Sequence, residues 1–387
     1  MCVTYMTEER LMIQQSARDF AMNEVLPVAN ELDPVQGDMP RALIDKMAAQ
    51  GYFGITIPER HGGLGLGCFE YCLVSEELAR AWMSVGSVIA RGNGMIGMEA
   101  MSEDWQAEML PRVVRGEMLG AFAMSEPDAG SDVAAVRCRA VREGEDYILS
   151  GNKYWCTFAD EADYVTVIAR TGMPDPQRRH LGLSAFMLEK PRGELPAGVQ
   201  GAPIPKIGYF GWKTWELAFD NVRVPASTLL GEQGRAFYMI SHGLERARAQ
   251  TAARAIGLAR GALEDSLAYA QERRQFGRPI GDFQAIRFKL AKMASEIEAS
   301  RQLMYHVCDA IDRGHRCDKE AAMVKYVATE MAERVTSEAL QIFGGAGYTK
   351  LHAVERHWRD ARLTKIFEGT SEIQLRIISD HLLGKAL

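Results

Sequence analysis

The sequence has no apolar run long enough to cross a membrane and no excess of positive charge. It contains 387 residues with a formal net charge of −6 at pH 7. A membrane-spanning helix needs about 20 predominantly apolar residues, and a mildly acidic chain has no electrostatic reason to bind nucleic acid or an anionic membrane. The N-terminus also lacks a basic region followed by an apolar stretch, so we expect no signal peptide and a cytoplasmic protein.

Cysteine is scarce and is not arranged for disulfides or for a metal. There are seven cysteines, an odd number, and no C-x-x-C motif. Cys68 and Cys72 are four residues apart, which on a helix predicts one shared, buried face. His352 and His357 lack a second pair of ligands. We therefore expect no metal site and a reducing compartment.

Proline is almost absent from the last part of the chain. Of the 14 prolines, only Pro279 lies in residues 226–387, whereas seven lie between residues 171 and 225. Because proline is excluded from helix interiors, the C-terminal part can form long helices and the middle cannot. Apolar spacing predicts helices both before and after the middle. They cover Leu11 to Val25, Pro40 to Gln50, Tyr71 to Ala79, Trp105 to Arg115, and residues 236–272, 283–313, 318–342, 353–361 and 371–383.

The middle of the chain is instead typical of β-structure. Short stretches rich in β-branched and aromatic residues alternate with turn residues. They are Asp146 to Leu149, Lys153 to Thr157, Tyr164 to Ile168, Leu183 to Leu188 and Trp215 to Phe219. The order of helices, strands and helices predicts an α+β fold. We place the domains at residues 1–120 (N-terminal α-helical), 121–230 (β-barrel or sandwich) and 231–387 (C-terminal helical).

The segment Ala123 to Asp132 is the most informative loop. It is dense in hydroxyls and backbone N–H groups, and it can surround a polar heterocycle or a phosphate. It resembles the signature loop of the acyl-CoA dehydrogenase family. Further segments resemble other motifs of that family in the same order: Gly151 to Thr157, Phe219 to Pro225, Glu272 to Gly277 with Phe283-Gln284, Gln341 to Tyr348, and Arg359-Asp360-Ala361 to Ser371.

This resemblance covers residues 7–383 and implies an N-terminal α-helical domain, a middle β-barrel and a C-terminal four-helix bundle. It also implies bound FAD between the β domain and the bundle, completed by the neighbouring subunit of a homotetramer or homodimer. The residues that match the family's cofactor contacts form two groups. The first contains Phe122, Met124, Ser125, Gly130, Ser131, Trp155 and Thr157; the second contains Arg273, Phe276, Gln284, Gln341, Gly344, Gly345, Thr370 and Glu372.

The resemblance nominates Glu368 as the catalytic base. It would take the α-proton of an acyl-CoA while N5 of FAD accepts the β-hydride, giving the trans-2-enoyl-CoA, with the electrons passed to an electron-transfer flavoprotein. We expect burial beside flavin and acyl chain to raise the pKa of Glu368. Arg273 would pair with the pyrophosphate, which suits its guanidinium fork.

The resemblance also implies a set of contacts to the substrate. They are Ser131, Glu245, Arg248, Gly369 and Arg91. Some family members carry the base one residue before an arginine of a long helix. With that arginine at Arg248 the position is Ala247, which cannot act; another alignment nominates Glu245. Arg91 lies where the family supplies apolar residues to the acyl pocket, so it either favours a polar or carboxylate-bearing acyl group or faces CoA or solvent.

Three departures from the family pattern concern the substrate. Phe158 stands where asparagine is usual, Glu372 where glutamine is common, and Arg91 where apolar residues are frequent. Other reactions on the same scaffold stay open: an acyl-CoA oxidase, a nitroalkane oxidase, a lyase-like relative, enoyl-CoA reduction, or a binding protein without activity. An intact base and intact flavin motifs favour the dehydrogenase.

Overall fold

The computed structural model describes residues 5–94, 101–173 and 177–384. Its N-terminal part is helical, as predicted. Thr7 caps the first helix by accepting from the backbone N–H of Arg10 at 3.2 Å, and Glu8 and Glu9 favour its positive end. The helices are α1 (Glu8–Phe20, continued by a π-helical turn, Ala21–Val25), α2 (Leu26–Leu32), α3 (Arg41–Ala49), α4 (Cys68–Ala81), α5 (Met83–Val88), α6 (Ala90–Asn93) and α7 (Glu103–Val114).

The middle part forms one sheet of eight strands. They are β1 (Gly120–Ala123), β2 (Arg139–Glu143), β3 (Asp146–Thr157), β4 (Tyr164–Arg170), β5 (Leu183–Glu189), β6 (Val199–Pro203), β7 (Thr214–Pro225) and β8 (Leu229–Leu230). The order is β6-β7-β3-β2-β4-β5-β8, with β1 pairing parallel to β4. The ladder between β3 and β7 is irregular between Lys153 and Cys156. A bulge there turns the intervening residues out of the regular pleat.

The C-terminal part contains the long helices that the missing prolines predict. They are α8 (Ala236–His242), α9 (Leu244–Glu272), α10 (Gln284–Asp312), α11 (Asp318–Phe343), α12 (Ala353–Thr364) and α13 (Ser371–Leu383), with a two-stranded hairpin, β9 (Arg274–Gln275) and β10 (Arg278–Pro279), between α9 and α10. The alanine-rich α9 is buried along its centre and packs against α4, α10 and α11. The predicted fold class is confirmed.

The structure also bears on the predictions for the cysteines and for membrane-spanning helices. Cys68 and Cys72 lie buried on one face of α4, as predicted, and their Sγ atoms are 4.0 Å apart. Sγ of Cys308 lies 4.0 Å from that of Cys68, which is too far for a disulfide bond. Among the helices of the described ranges, none combines the length and the apolar character that crossing a bilayer requires.

Candidate functional site

Glu368 lies at a strained turn between α12 and α13. Its φ is +53°, and that of the following Gly369 is +88°. The left-handed region is unfavourable for a residue with a side chain and persists only where the surroundings hold it. The Gly369 carbonyl accepts from Lys325 Nζ at 2.6 Å and from Gln374 Nε2 at 3.0 Å. These two buried side chains fix the turn and therefore the direction of the Glu368 carboxylate.

The carboxylate of Glu368 is held through one of its two oxygens. Oε2 accepts from Arg254 Nη2 at 2.7 Å and from the hydroxyl of Thr251. Arg254 is 1% exposed, and its Nη1 donates to Ser87 Oγ at 2.9 Å. Within the part of the chain that the structure describes, Oε1 has no hydrogen-bond partner. The Glu368 side chain remains 38% exposed, so Oε1 is the oxygen available to a proton donor.

In the protein alone, the pKa of Glu368 lies below its ordinary value. Removal of water by the surrounding protein raises the pKa, but the charge of Arg254 and the hydrogen bonds from Thr251 and Arg254 outweigh that effect. The sequence prediction concerns Glu368 beside flavin and acyl chain and stays a prediction; it does not include the buried cation Arg254 beside the carboxylate. The site thus presents an ionised carboxylate. The pKa of Lys325 is also lowered, to about 8, and there burial is the cause.

The loop at Met124 and Ser125 is anchored by a buried ion pair. Lys153 Nζ lies 2.8 Å from a Glu126 oxygen, and the two side chains are 0% and 8% exposed. Lys153 Nζ also donates to the Met124 carbonyl at 2.9 Å, and Glu126 accepts from two backbone N–H groups of residues 137 and 138, each at 2.8 Å. The pair therefore sets the position of the predicted flavin loop against β3.

The first group of predicted cofactor residues lies on β1, on the segment that follows it and on β3. Trp155 lies at the bulge of β3 with φ +63° and is 57% exposed. Thr157 Oγ1 lies 3.1 Å from Thr214 Oγ1. Gly130 would meet no atom within 4 Å if it carried a Cβ. The half-buried or exposed members are Phe122, Met124, Ser125, Gly130, Ser131, Trp155 and Thr157. A large exposed ring beside open backbone suits a flat heterocycle.

Most of the second group lies where α9 and α11 end and where α10 begins. Arg273 is exposed, and none of the described carboxylates pairs with it. Phe276 is 93% exposed with φ +51°. Arg273, Gly344 and Gly345 line a pocket of about 390 Å³, and both glycines have open space where a Cβ would be. Gln284 and Gln341 are exposed nearby on α10 and α11. An unpaired guanidinium beside bare backbone fits a phosphate.

The two groups of predicted cofactor residues are not in contact within the described part of the chain. Among the described residues, no hydrogen bond or ring contact links a member of the first group to Arg273, Phe276 or Gln284. Thr370 instead caps α13, its hydroxyl accepting from the backbone N–H of Ile373 at 3.3 Å, and Glu372 is exposed in the first turn of that helix. The residues present therefore fit FAD as two separate surfaces, each open on one side.

Strained backbone marks the same places. Of the residues that the structure describes, seven other than glycine have positive φ, and five of these lie at or beside the candidate site. These five are Trp155, Phe158, Tyr209, Phe276 and Glu368. Such strain concentrates where function requires an otherwise unfavourable geometry, so the clustering supports the site independently of the sequence motifs.

Glu245 and Arg248 lie near the start of α9 and contact the start of α11. Glu245 accepts from the backbone N–H of Cys317 at 3.2 Å. Arg248 is 7% exposed, with Nη1 3.7 Å from Asp318 Oδ1. Glu245 is thus bound to the α11 N-terminus, while the partners of Glu368 lie further along α9.

Arg91 is half-buried on α6 against aromatic rings. Its Cζ lies 5.4 Å from the centre of the Trp212 ring and 5.9 Å from that of Phe158. Phe158 itself is 4% exposed. Arg91 therefore lies next to Phe158, the residue that stands where the family usually has asparagine.

Arg254, Thr251, Lys325 and Lys153 were not identified from the sequence. Arg254 could have been, because it is the single charge in the stretch Ala249 to Ala259 of α9, which is otherwise composed mainly of alanine, glycine and aliphatic residues. A charge at the centre of a buried helix requires a partner. Lys153 and Lys325 carry no such signal, since lysines on strands and helices usually face solvent.

Comparison with known proteins gives three domain families in chain order. The acyl-CoA dehydrogenase N-terminal, middle and C-terminal domains match residues 7–117, 121–222 and 234–383. An acyl-CoA dehydrogenase of Bacillus subtilis is 41% identical over 98% of this chain and 99% of its own. A (2S)-methylsuccinyl-CoA dehydrogenase of Cereibacter sphaeroides is 40% identical over 97% of this chain and 70% of its own.

A solved structure agrees with these sequence matches. It is described as an electron transferring flavoprotein of Acidaminococcus fermentans. The matching chain has a TM-score of 0.92 and 37% identity, covering 99% of this chain and 100% of its own.

Proposed function

Since this chain belongs to the acyl-CoA dehydrogenase family and is an FAD-dependent acyl-CoA dehydrogenase, we propose that Glu368 is the base that removes the α-proton of the thioester. The observation that carries this proposal is the free Oε1 of an ionised carboxylate held at a strained turn. Arg254 and Thr251 hold Oε2, so Oε1 alone takes the proton. When bound, FAD supplies the acceptor for the hydride that leaves the β-carbon.

The residues around Glu368 prepare it for this step. Lys325 and Gln374 fix the Gly369 carbonyl and so limit the movement of the carboxylate. The backbone N–H of Glu368 is a candidate donor to the developing enolate oxygen, as in the family. A thioester lying against the exposed part of Glu368 would exclude water, which raises the pKa of the carboxyl toward that of a stronger base.

An anaerobic titration tests the proposal. The purified protein is expected to carry the visible absorption of oxidised flavin and to bleach when the correct acyl-CoA is added. A panel of thioesters of different length, branching and polarity would identify the substrate. A colourless protein that does not take up FAD, or a yellow protein that no acyl-CoA bleaches, would refute the dehydrogenase activity.

Replacing Arg254 with glutamine is expected to move the acid limb of the pH–rate profile upward. Arg254 lowers the pKa of Glu368, and the base acts only above that pKa. Without the charge, the pKa rises and activity is lost at a higher pH as the solution is acidified, by about 1 to 3 units for a nearby charge. The measurement is the rate of flavin reduction by a neutral acyl-CoA from low to high pH.

Two matched variants serve as controls for the shift of the acid limb in Arg254→Gln. Arg254→Lys keeps the charge and should keep the acid limb near its original place, while Thr251→Val removes one hydrogen bond and should shift it less. An unchanged acid limb in Arg254→Gln would contradict the assignment of the limb to Glu368 and its ion pair.

We further propose that the two cofactor surfaces meet across a subunit boundary. Arg273 from one chain would bind the FAD that lies on Trp155 and Ser125 of another. This arrangement explains why each surface is open and why they are not in contact within the chain. It requires at least a homodimer, and the family resemblance favours a homotetramer.

Mixed oligomers of two impaired variants, assayed at an FAD concentration too low to fill Arg273→Gln alone, test the shared site. Arg273→Gln alone is expected to bind FAD about 10- to 100-fold more weakly, and Glu368→Gln alone to lack activity. In an oligomer of both, one kind of site combines intact Glu368 with intact Arg273 from the other chain, so activity should return. No return of activity in a confirmed mixed oligomer would place both residues in a site formed by one chain.

We propose an electron-transfer flavoprotein as the acceptor of the electrons. The support is the family resemblance and the description of the matched Acidaminococcus structure. Stopped-flow reoxidation of the reduced enzyme should be much faster with such a flavoprotein than with oxygen. Faster reoxidation by oxygen would favour an oxidase. The relatives' names differ in the acyl group, so the choice of acyl group has to come from the residues of this chain.

A further inference from the structure

An aromatic wall runs from the catalytic turn into the β domain. We use this name for the rings of Phe158, Tyr209, Trp212 and Phe367. Phe367, the neighbour of Glu368, lies 5.9 Å from Tyr209 between ring centres. Tyr209 lies 5.1 Å from Trp212, which lies 5.7 Å from Phe158. The wall thus connects the base to the position where Phe158 replaces the usual asparagine.

Two arginines lie along this wall. Arg254 Cζ is 4.8 Å from the centre of the Phe367 ring, at the end near Glu368. Arg91 Cζ is 5.4 Å from the Trp212 ring and 5.9 Å from the Phe158 ring, at the other end. Burial raises the pKa of Tyr209, and the charges of Arg254 and Arg91 both act to lower it. Both cations therefore lie near the same ring.

The two arginines along the wall differ in their partners. Arg254 is paired with Glu368 at 2.7 Å. Arg91, in contrast, has no ion-pair partner among residues 5–94, 101–173 and 177–384, and its Nε is buried without a hydrogen-bond partner. A half-buried charge without a counter-ion is unfavourable, and aromatic contact compensates it only in part. Within the described ranges, Arg91 therefore has no counter-ion.

We propose that the acyl group of the substrate carries a carboxylate, which lies on the aromatic wall and pairs with Arg91. The inference rests on the proposed function, since it assumes that a thioester reaches Glu368. A guanidinium fork matches the two oxygens of a carboxylate. The rings accommodate the carbon chain between the reacting carbons and that carboxylate. The substrate class is thus a monothioester of a dicarboxylic acid with CoA.

The test compares thioesters that differ in this charge. Succinyl-, methylsuccinyl- and glutaryl-CoA are each paired with the uncharged methyl ester of the same acid and with butyryl- or valeryl-CoA. The holoenzyme is titrated anaerobically, and reduction rate over dissociation constant is measured. At least one charged thioester should exceed its uncharged partner by about 10- to 100-fold, the range for hydrogen bonds to a charged group.

Variants of Arg91 assign the preference to that residue. Arg91→Met should lose about 10- to 100-fold for the charged thioester and leave the uncharged ones within a few-fold; Arg91→Lys should lie between. Calorimetric binding of the corresponding unsaturated thioester, which cannot be dehydrogenated at the same carbons, should show the same order without any redox step.

Three results would overturn the inference. A wild-type preference for uncharged thioesters would do so without any variant, even if Arg91→Met failed to fold. An equal weakening of all thioesters and of free CoA in Arg91→Met would make Arg91 a CoA contact. In both cases the flavin is still bleached and the proposed function stands. If no thioester bleaches the flavin, the proposed function fails, and the inference fails with it.

Discussion

Replacing Glu368 with glutamine is expected to slow flavin reduction by a cognate acyl-CoA about 10²- to 10⁴-fold, the range for loss of a general base. Glutamine keeps the size of the side chain and can still accept from Arg254, but it cannot take a proton. Binding of the thioester should therefore persist while the rate falls. Stopped-flow absorbance of the flavin under anaerobic conditions measures both quantities.

Glu245→Gln is the matched control for this experiment. Its carboxylate accepts from Cys317 at the start of α11, away from the partners of Glu368. We expect a limiting reduction rate within about threefold of wild type, with any effect confined to the binding of CoA. If Glu245→Gln abolished reduction and Glu368→Gln did not, the base would be Glu245 and the alignment that favours Ala247 would be wrong.

Replacing Lys153 with methionine is expected to lower the free energy of unfolding by about 3 to 5 kcal/mol, because it leaves the buried Glu126 carboxylate unpaired. Lys153 is 0% exposed and Glu126 8%, so water cannot compensate. The same change frees the Met124 carbonyl, and the flavin loop should hold FAD more weakly. Urea unfolding of the FAD-free protein separates the loss of stability from the loss of cofactor.

A surface pair provides the comparison. Arg223 pairs with Glu143 at 3.0 Å, and both side chains are more than half exposed, 56% and 57%. Arg223→Met should destabilise the protein far less than Lys153→Met, because water solvates both partners of the exposed pair. Combining Lys153→Met with Glu126→Leu should recover much of the lost stability, since it removes the unpaired charge. Equal losses for Lys153→Met and Arg223→Met would contradict the importance of the buried pair.

The helices were predictable because their signals are local. The absence of proline after Pro279, the cap at Thr7 and the spacing of apolar residues depend only on neighbours in the chain. The two predicted strands at residues 146–149 and 153–157 are one strand, β3, because the sheet continues through the turn residues Gly151 and Asn152. Tertiary pairing overrode the local turn signal.

The site was predictable only where a motif recurs in a family. Glu368 was nominated in this way, but its contact with Arg254 was not, since Arg254 lies more than a hundred residues earlier in the chain and meets it only in the fold. Positive φ at Trp155 and Glu368 is likewise a property of the surroundings rather than of the residue type. The contacts of Lys153 and Lys325 could not be read from sequence for the same reason.

The most direct test of the account is the exchange of the substrate's α-proton with solvent deuterium. The holoenzyme is incubated anaerobically in D₂O with a cognate thioester, and the α-proton signal is followed by NMR. The wild-type protein should exchange the proton, whereas Glu368→Gln should bind the thioester and leave the signal intact. Exchange at the wild-type rate in Glu368→Gln would show that another group removes the proton and would contradict the account.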